Sequence, residues 1–170
     1  MELLQTYIDR AYVSTILCDL SLNWYNTIYN ISLAPTILGS SMLTILNSSE
    51  IPSHPMKIIN ITLNGLNTII LALMSTYKIN DRINNFKTLK IKFNKLTHLM
   101  ESIKNKNEEI DKHTLSTLIE EYDKLYEDLI YPFPQRVRTK VIKTYGGKKT
   151  LPNSLEIDYK LNGDIVNIGV

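Results

Sequence analysis

The side chains best able to do chemistry in this chain are few and scattered. His54, His98 and His113 stand far apart, and none joins a cysteine or carboxylate at metal-ligand spacing. Glu120, Glu121 and Asp123 could supply acid–base pairs, but they flank a regular apolar seam and read as solvent-facing. The single cysteine, Cys18, has no histidine or basic neighbour in sequence to activate it. It reads as a small apolar packer, and it excludes an internal disulfide. Gly146-Gly147-Lys148-Lys149-Thr150 has the lysine and hydroxyl of a phosphate loop. It lacks the upstream glycine and the preceding apolar strand, so it reads as a glycine helix stop. No catalytic set, metal site or cofactor is expected, and the chain is not expected to be an enzyme.

Two patterned sets remain. Asn60, Asn64 and Asn67 fall at i, i+4 and i+7, and so share a helix face; Asn23, Asn26 and Asn30 share another. Ser32, Thr36, Ser40 and Thr44 continue a ridge of small residues at steps of four. Small residues let helices approach closely and Asn amides can bond across the contact, at about 0.6 kcal/mol each. The favoured reading is helix-packing glue within one hairpin; the alternative is the lining of an aqueous path in an oligomer. With no ionisable residue inside the apolar runs, proton or ion transport is not expected. The second set is Arg136, Arg138, Lys140, Lys143, Lys148 and Lys149, uninterrupted by acid. Clusters of roughly four to eight basic residues near a membrane bind anionic headgroups, at about 1 kcal/mol each. A solvated face, or one docked on an acidic helix, is the equal alternative. Nucleic acid is not an expected partner, since net charge is only +2 and no aromatic interleaving accompanies the basic residues.

The elements that must position these sets follow from where charge is missing. Between Leu20 and Tyr77 the only charged residues are Glu50 and Lys57. The uncharged runs Leu20–Ser49 and Ile58–Tyr77 lie on either side of that break. About 20 such residues span the hydrocarbon core of a bilayer. A transmembrane hairpin is therefore expected, with spans at about 24–46 and 57–77. About a dozen apolar residues in Ile58–Tyr77 contribute on the order of −5 kcal/mol to insertion, before the Asn penalties. The mean hydropathy of −0.10 is low for a membrane protein. The competing reading is a soluble bundle whose central hairpin is covered by partners. Trp24, Tyr25 and Tyr77 fit an aromatic belt at one membrane surface. Met1-Glu2-Leu3-Leu4 lacks the basic start of a cleaved signal peptide.

Helical periodicity organises the rest. Leu4, Ile8, Tyr12, Ile16 and Leu20 recur every four residues, and Pro35 should kink or break that first helix. The second helix should start near Met56 and run on without interruption through Ile79, Phe86, Phe93 and Met100. A third carries Leu118, Tyr122, Leu125 and Leu129 on one face and ends before Pro132 and Pro134. Lys78–Lys106 holds eight basic and two acidic residues, while Glu108–Asp128 holds eight acidic and two basic. That complementarity predicts an antiparallel pair. Gln135–Tyr145 fits a short helix or a strand. Leu155–Leu161 and Ile165–Ile168 around Asn162-Gly163 should form a small β-hairpin. The expected divisions are 1–77, with the N-terminal amphipathic helix and the hairpin; 78–131, an extramembrane helical hairpin; and 132–170, the basic segment and tail. Lys78, Arg82, Lys87, Lys90, Lys92 and Lys95 close after the second span place both termini on the cytoplasmic side.

The layout runs from Trp24-Tyr25 through a Pro-bearing span with Ser40-Ser41, then an Asn-studded span. A basic helix with Phe86 and Phe93 follows, then a Tyr-rich acidic helix, Pro132–Pro134 and Gly-Gly-Lys-Lys-Thr-Leu-Pro at 146–152. Over residues 20–152 it resembles two-span membrane proteins encoded by nucleocytoplasmic large DNA viruses. It is similar, more distantly, to bacterial SLATT two-span effector domains. The resemblance implies an all-α membrane hairpin, either a virion component in an internal membrane contacting capsid proteins or a pore-forming effector. Its partners would be a lipid bilayer and homo- or hetero-oligomeric neighbours. The abundance of Ile, Asn and Lys, typical of an AT-rich genome, suits the viral case.

Overall fold

The computed structural model describes residues 2–48, 54–106 and 111–156, and among them every regular element is a helix. The elements are α1 (Glu2–Ser48), α2 (His54–Thr76), α3 (Ile79–Asn105), α4 (Lys112–Glu127) and α5 (Gln135–Tyr145). The all-α expectation holds, with three local corrections. First, of the kink or break expected at Pro35, the break does not occur: α1 runs on through it. Proline removes one backbone hydrogen bond, whereas ending the helix there would leave several terminal carbonyls and amides without intrahelical partners.

Second, the expected uninterrupted second helix is two helices. Lys78 takes a left-handed φ of 48°, and the Tyr77 and Lys78 amides bond back to the Leu73 and Ser75 carbonyls, each at 3.0 Å. A non-glycine residue in that region ends a helix at a cost of about 1–2 kcal/mol. Third, Leu155 and Glu156, expected to begin a strand, stand in a helical turn with both amides donating to the Pro152 carbonyl. The remainder of the expected β-hairpin lies outside the described residues. Gln135–Tyr145 resolves to helix, because Val137 and Val141, four residues apart, are both buried.

The chain forms two compact units. One comprises residues 1–22 and 84–170, the other Asn23–Ile83. The core of the first is built from Leu4, Ile8, Leu17 and Cys18 of α1, together with Phe86, Leu89, Phe93, Leu96 and Met100 of α3. Leu118, Tyr122 and Leu125 of α4 and Val137 and Val141 of α5 complete it. The α3 set follows the alternating three- and four-residue step of a packed helix seam. Phe93 stands at the centre, edge-on to Tyr122 at 5.9 Å and to Tyr126 at 5.7 Å, while Tyr7 meets Tyr122 at 5.4 Å. Such pairs add about 0.5–1.5 kcal/mol each beyond burial.

Polar contacts set the helix directions in this unit. Asp19 meets Lys90 at 2.6 Å, and Gln5 accepts from Lys104 at 2.5 Å, so α1 runs antiparallel to α3. Asn85 donates to the Asp128 carbonyl at 3.1 Å while Phe93, eight residues further along α3, packs on Tyr122, so α4 also runs antiparallel to α3, as the charge pattern predicts. Asp9 receives both Gln5 at 3.0 Å and Lys149 at 2.9 Å, which ties α1 to the segment after α5.

Candidate functional site

The Asn23–Ile83 unit is a helical hairpin with a regular seam. On α1, Tyr25, Tyr29, Ser32, Thr36, Gly39 and Leu43 are buried or half-buried, at steps of four and three. On α2, Met56, Asn60, Leu63, Asn67, Ile70 and Met74 are half-buried with the same steps. This is the a/d pattern of paired helices. Eighteen residues of rise make each seam about 27 Å long. At its middle Asn67 donates from Nδ2 to the Ser40 hydroxyl at 3.4 Å. A Cβ placed on Gly39 would stand 3.2 Å from the Asn67 side-chain oxygen, so any larger residue there would have to push the Asn67 amide aside by a few tenths of an ångström.

The predicted packing residues divide into four groups, one of them Ser40 and Thr44, which are exposed beside the seam. Asn60, Asn67, Ser32 and Thr36 lie on the seam. Asn64 is exposed but donates along its own helix to Asn60 at 2.7 Å. Asn23 and Asn30 are exposed and Asn26 is half-buried, none of them at a seam position. The ridge hydroxyls mostly turn inward along α1. Thr36 donates to the Ser32 carbonyl, Ser40 to Thr36 and Thr44 to Ser40, at 2.8–3.2 Å. These internal bonds let polar residues sit in an apolar helix without exposing an unsatisfied donor.

One residue that sequence reasoning counted only as a cytoplasmic charge organises the end of this unit. Arg82 donates from Nη1 to the Tyr25 hydroxyl at 2.7 Å and from Nε to the Tyr77 carbonyl at 3.0 Å, with its guanidinium 5.4 Å from the Tyr25 ring centre. It therefore joins α1 to the turn after α2, at the level of the predicted aromatic belt. Tyr25 is buried, Trp24 half-buried and Tyr77 exposed. A charged donor to a phenol is a strong hydrogen bond, worth about 1.5–3 kcal/mol.

The basic cluster also divides. Lys149 points inward to Asp9, and its ammonium lies 4.7 Å over the Tyr12 ring. Arg138 is half-buried and reaches the Ser154 carbonyl at 3.5 Å. Arg136, Lys140 and Lys143 lie along one exposed face of α5, and Lys148 is exposed beyond it. The Gly-Gly-Lys-Lys segment thus spends one lysine on packing.

No group of three or more His, Cys, Asp or Glu side chains stands close enough to hold a metal among the described residues. Cys18 is fully buried, and burial pushes its thiol up to about 12, too high for a nucleophile at neutral pH. Burial likewise raises the Tyr122 and Tyr126 phenols. The Lys92 hydrogen bond holds the Asp128 carboxyl below its ordinary value.

Two helical stretches, Glu2–Ile45 and Pro55–Asn105, the latter turning at Tyr77–Lys78, are long and apolar enough to cross a membrane. Their apolar windows are 17% and 0% buried. No protein-family model, curated protein or solved structure matches this chain.

Proposed function

We propose that residues 23–83 are a two-helix membrane anchor, and that residues 2–22 with 84–156 form a non-enzymatic binding module held at the membrane surface. The observation that carries this reading is the bare apolar surface of the hairpin. Ile31, Leu38, Ile45, Ile61, Leu66 and Ile69 all face outward. Soluble monomers rarely expose contiguous apolar patches of more than a few hundred Å². Lipid is favoured over a covering protein because the exposure occurs on both helices all along the seam. The seam's length of about 27 Å suits the ~30 Å hydrocarbon core. The Tyr25–Tyr77–Arg82 cluster sits at one end, where aromatic and basic side chains meet headgroups.

A hairpin requires both chain ends on one side, and residues 2–22 do pack in one unit with 84–156. The lysines that follow α2 make that side cytoplasmic. The exposed face of α5 then offers Arg136, Lys140 and Lys143 to anionic headgroups or to an acidic partner. In the viral setting implied by the resemblance, the anchor sits in an internal membrane and the module contacts the capsid. Sedimentation tests the core of the proposal. The full chain should pellet with membranes, resist alkaline carbonate and be released by detergent. Recovery in a detergent-free supernatant overturns it.

A second reading, an oligomeric pore, is favoured by one observation: Asn23, Asn30 and Asn64 are exposed on the hairpin. Liposomes carrying the protein should then conduct, and Asn64→Leu should abolish the current. Silent bilayers remove this reading.

A further inference from the structure

The module has an apolar tip of its own. The linker between α4 and α5, residues 128–134, lies beside the point where α3 enters the module. Asn85 donates from Nδ2 to the Asp128 carbonyl at 3.1 Å, and Phe133 stacks on Phe86 at 5.6 Å with the rings 27° apart. Asn84 is the residue at which the chain returns from the 23–83 unit. The linker therefore packs beside the first residues of the module that follow Asn84. There Ile130 is 73% exposed, more than any other large hydrophobic residue of the module among the described residues. Pro132 is exposed as well, while Phe133 is buried. Pro132 and Pro134 restrict the backbone on both sides of that buried ring. Ile130 thus stands just before an anchored, proline-restricted segment.

The charge around it complements an anionic surface. Asp128 is already paired with Lys92 at 2.7 Å, which leaves Glu127 as the exposed acid nearest in sequence. Lys87, next to Phe86, and Arg136, three residues beyond Phe133, are both exposed. An exposed apolar side chain with basic residues close by along the packed segments is the composition that settles at the headgroup–acyl boundary.

We propose that the Leu129–Pro134 linker is an interfacial foot. Ile130 and Pro132 enter the surface of the bilayer that the hairpin crosses, while Lys87 and Arg136 meet its phosphates. This inference rests on the membrane reading of residues 23–83.

The test uses the full-length protein in vesicles containing anionic lipid. Single environment-sensitive labels are placed at Ile130→Cys, Leu66→Cys and Ile91→Cys, with Cys18 buried and the wild-type chain as labelling background. All three positions are exposed, so none of the substitutions disturbs packing. The Ile130 label should shift to the blue and lose intensity to quenchers carried near the headgroups. The Leu66 label should be quenched by deeper ones, and the Ile91 label should stay water-like. The Ile130 shift should shrink in purely zwitterionic vesicles. An Ile130 label as wet as that at Ile91, with Leu66 still quenched, overturns the foot and leaves the anchor standing. Loss of quenching at Leu66 as well overturns both.

Discussion

Two side chains with equal exposure sit, on this reading, in different solvents. Leu66 on α2 and Ile91 on α3 are each 50% exposed. Leu66 stands roughly midway between Met56 and Met74, near the centre of the span. Replacing a central leucine, worth about −0.5 kcal/mol, by lysine, worth about +3, changes insertion by about 3.5 kcal/mol. That is about a 300-fold fall in the ratio of inserted to uninserted chains. The span begins from on the order of −5 kcal/mol before three asparagines are counted, so one lysine removes most of its margin. Ile91→Lys sits outside the span and should stay within about 0.5 kcal/mol of wild type. The assay is protease protection of the α1–α2 connection for the full chain in sealed vesicles. Wild type and Ile91→Lys should be protected. Leu66→Lys should lose much of that protection, and adding Ile69→Lys should abolish it. If Leu66→Lys is protected as well as Ile91→Lys, the two surfaces share one solvent and the anchor reasoning is wrong.

Three further outcomes are expected. Phe93→Ala empties the centre of the module and should cost about 3–5 kcal/mol, measured as a large fall in its unfolding midpoint in detergent; a near-neutral result would mean that the aromatic cluster is not the core. Tyr25→Phe removes the acceptor of the Arg82 bond and should lower the hairpin's stability by about 1.5–3 kcal/mol, with Arg82→Gln similar and the double variant less than additive. Strict additivity would show that the two side chains do not act together. Asp128 has its carboxyl held low by Lys92, so the pair stabilises the fold above the ordinary value of 3.8 and that contribution fades as pH falls through the lowered one. The difference in unfolding midpoint between wild type and Asp128→Asn should therefore be present at neutral pH and vanish in strong acid; a gap that persists in acid refutes the pairing.

Much of the helical content was legible because the apolar period is unusually regular. Phe86, Leu89, Phe93, Leu96 and Met100 announce the buried face of α3, and the opposite charge of α4 names its partner. The stripe Leu4–Ile8 likewise announces a buried face on α1, but periodicity says nothing about what covers it. Only the structure shows that residues 2–22 close the module formed by 84–156. The break at Lys78 carried no glycine or proline to mark it. Arg82 was hidden among other cations, since only geometry separates a clamp from a solvated charge. On the hairpin, asparagine spacing located half of the seam. Asn60 and Asn67 belong to it, but on α1 the seam follows Tyr25, Tyr29, Ser32, Thr36, Gly39 and Leu43. Ser32 and Thr36 of that seam were marked by their small side chains, while Tyr29, Gly39 and Leu43 were masked by the more conspicuous asparagines at 23, 26 and 30. Within the basic cluster, the inward turn of Lys149 needed Asp9, a residue far away along the chain.

The Tyr25–Arg82 clamp bears on the order of assembly. Gathering the ends of a flexible 61-residue segment, 23–83, costs about 3.6 kcal/mol by loop-closure scaling alone. A hairpin that zips first, with Tyr25 held to Arg82 at 2.7 Å, delivers its two ends already adjacent. Helix α1 then meets α3 as a local event, although Asp19 and Lys90 are distant in sequence. Synthesis would thus settle the helical hairpin early, and the second unit would condense around ends that no longer have to search for one another.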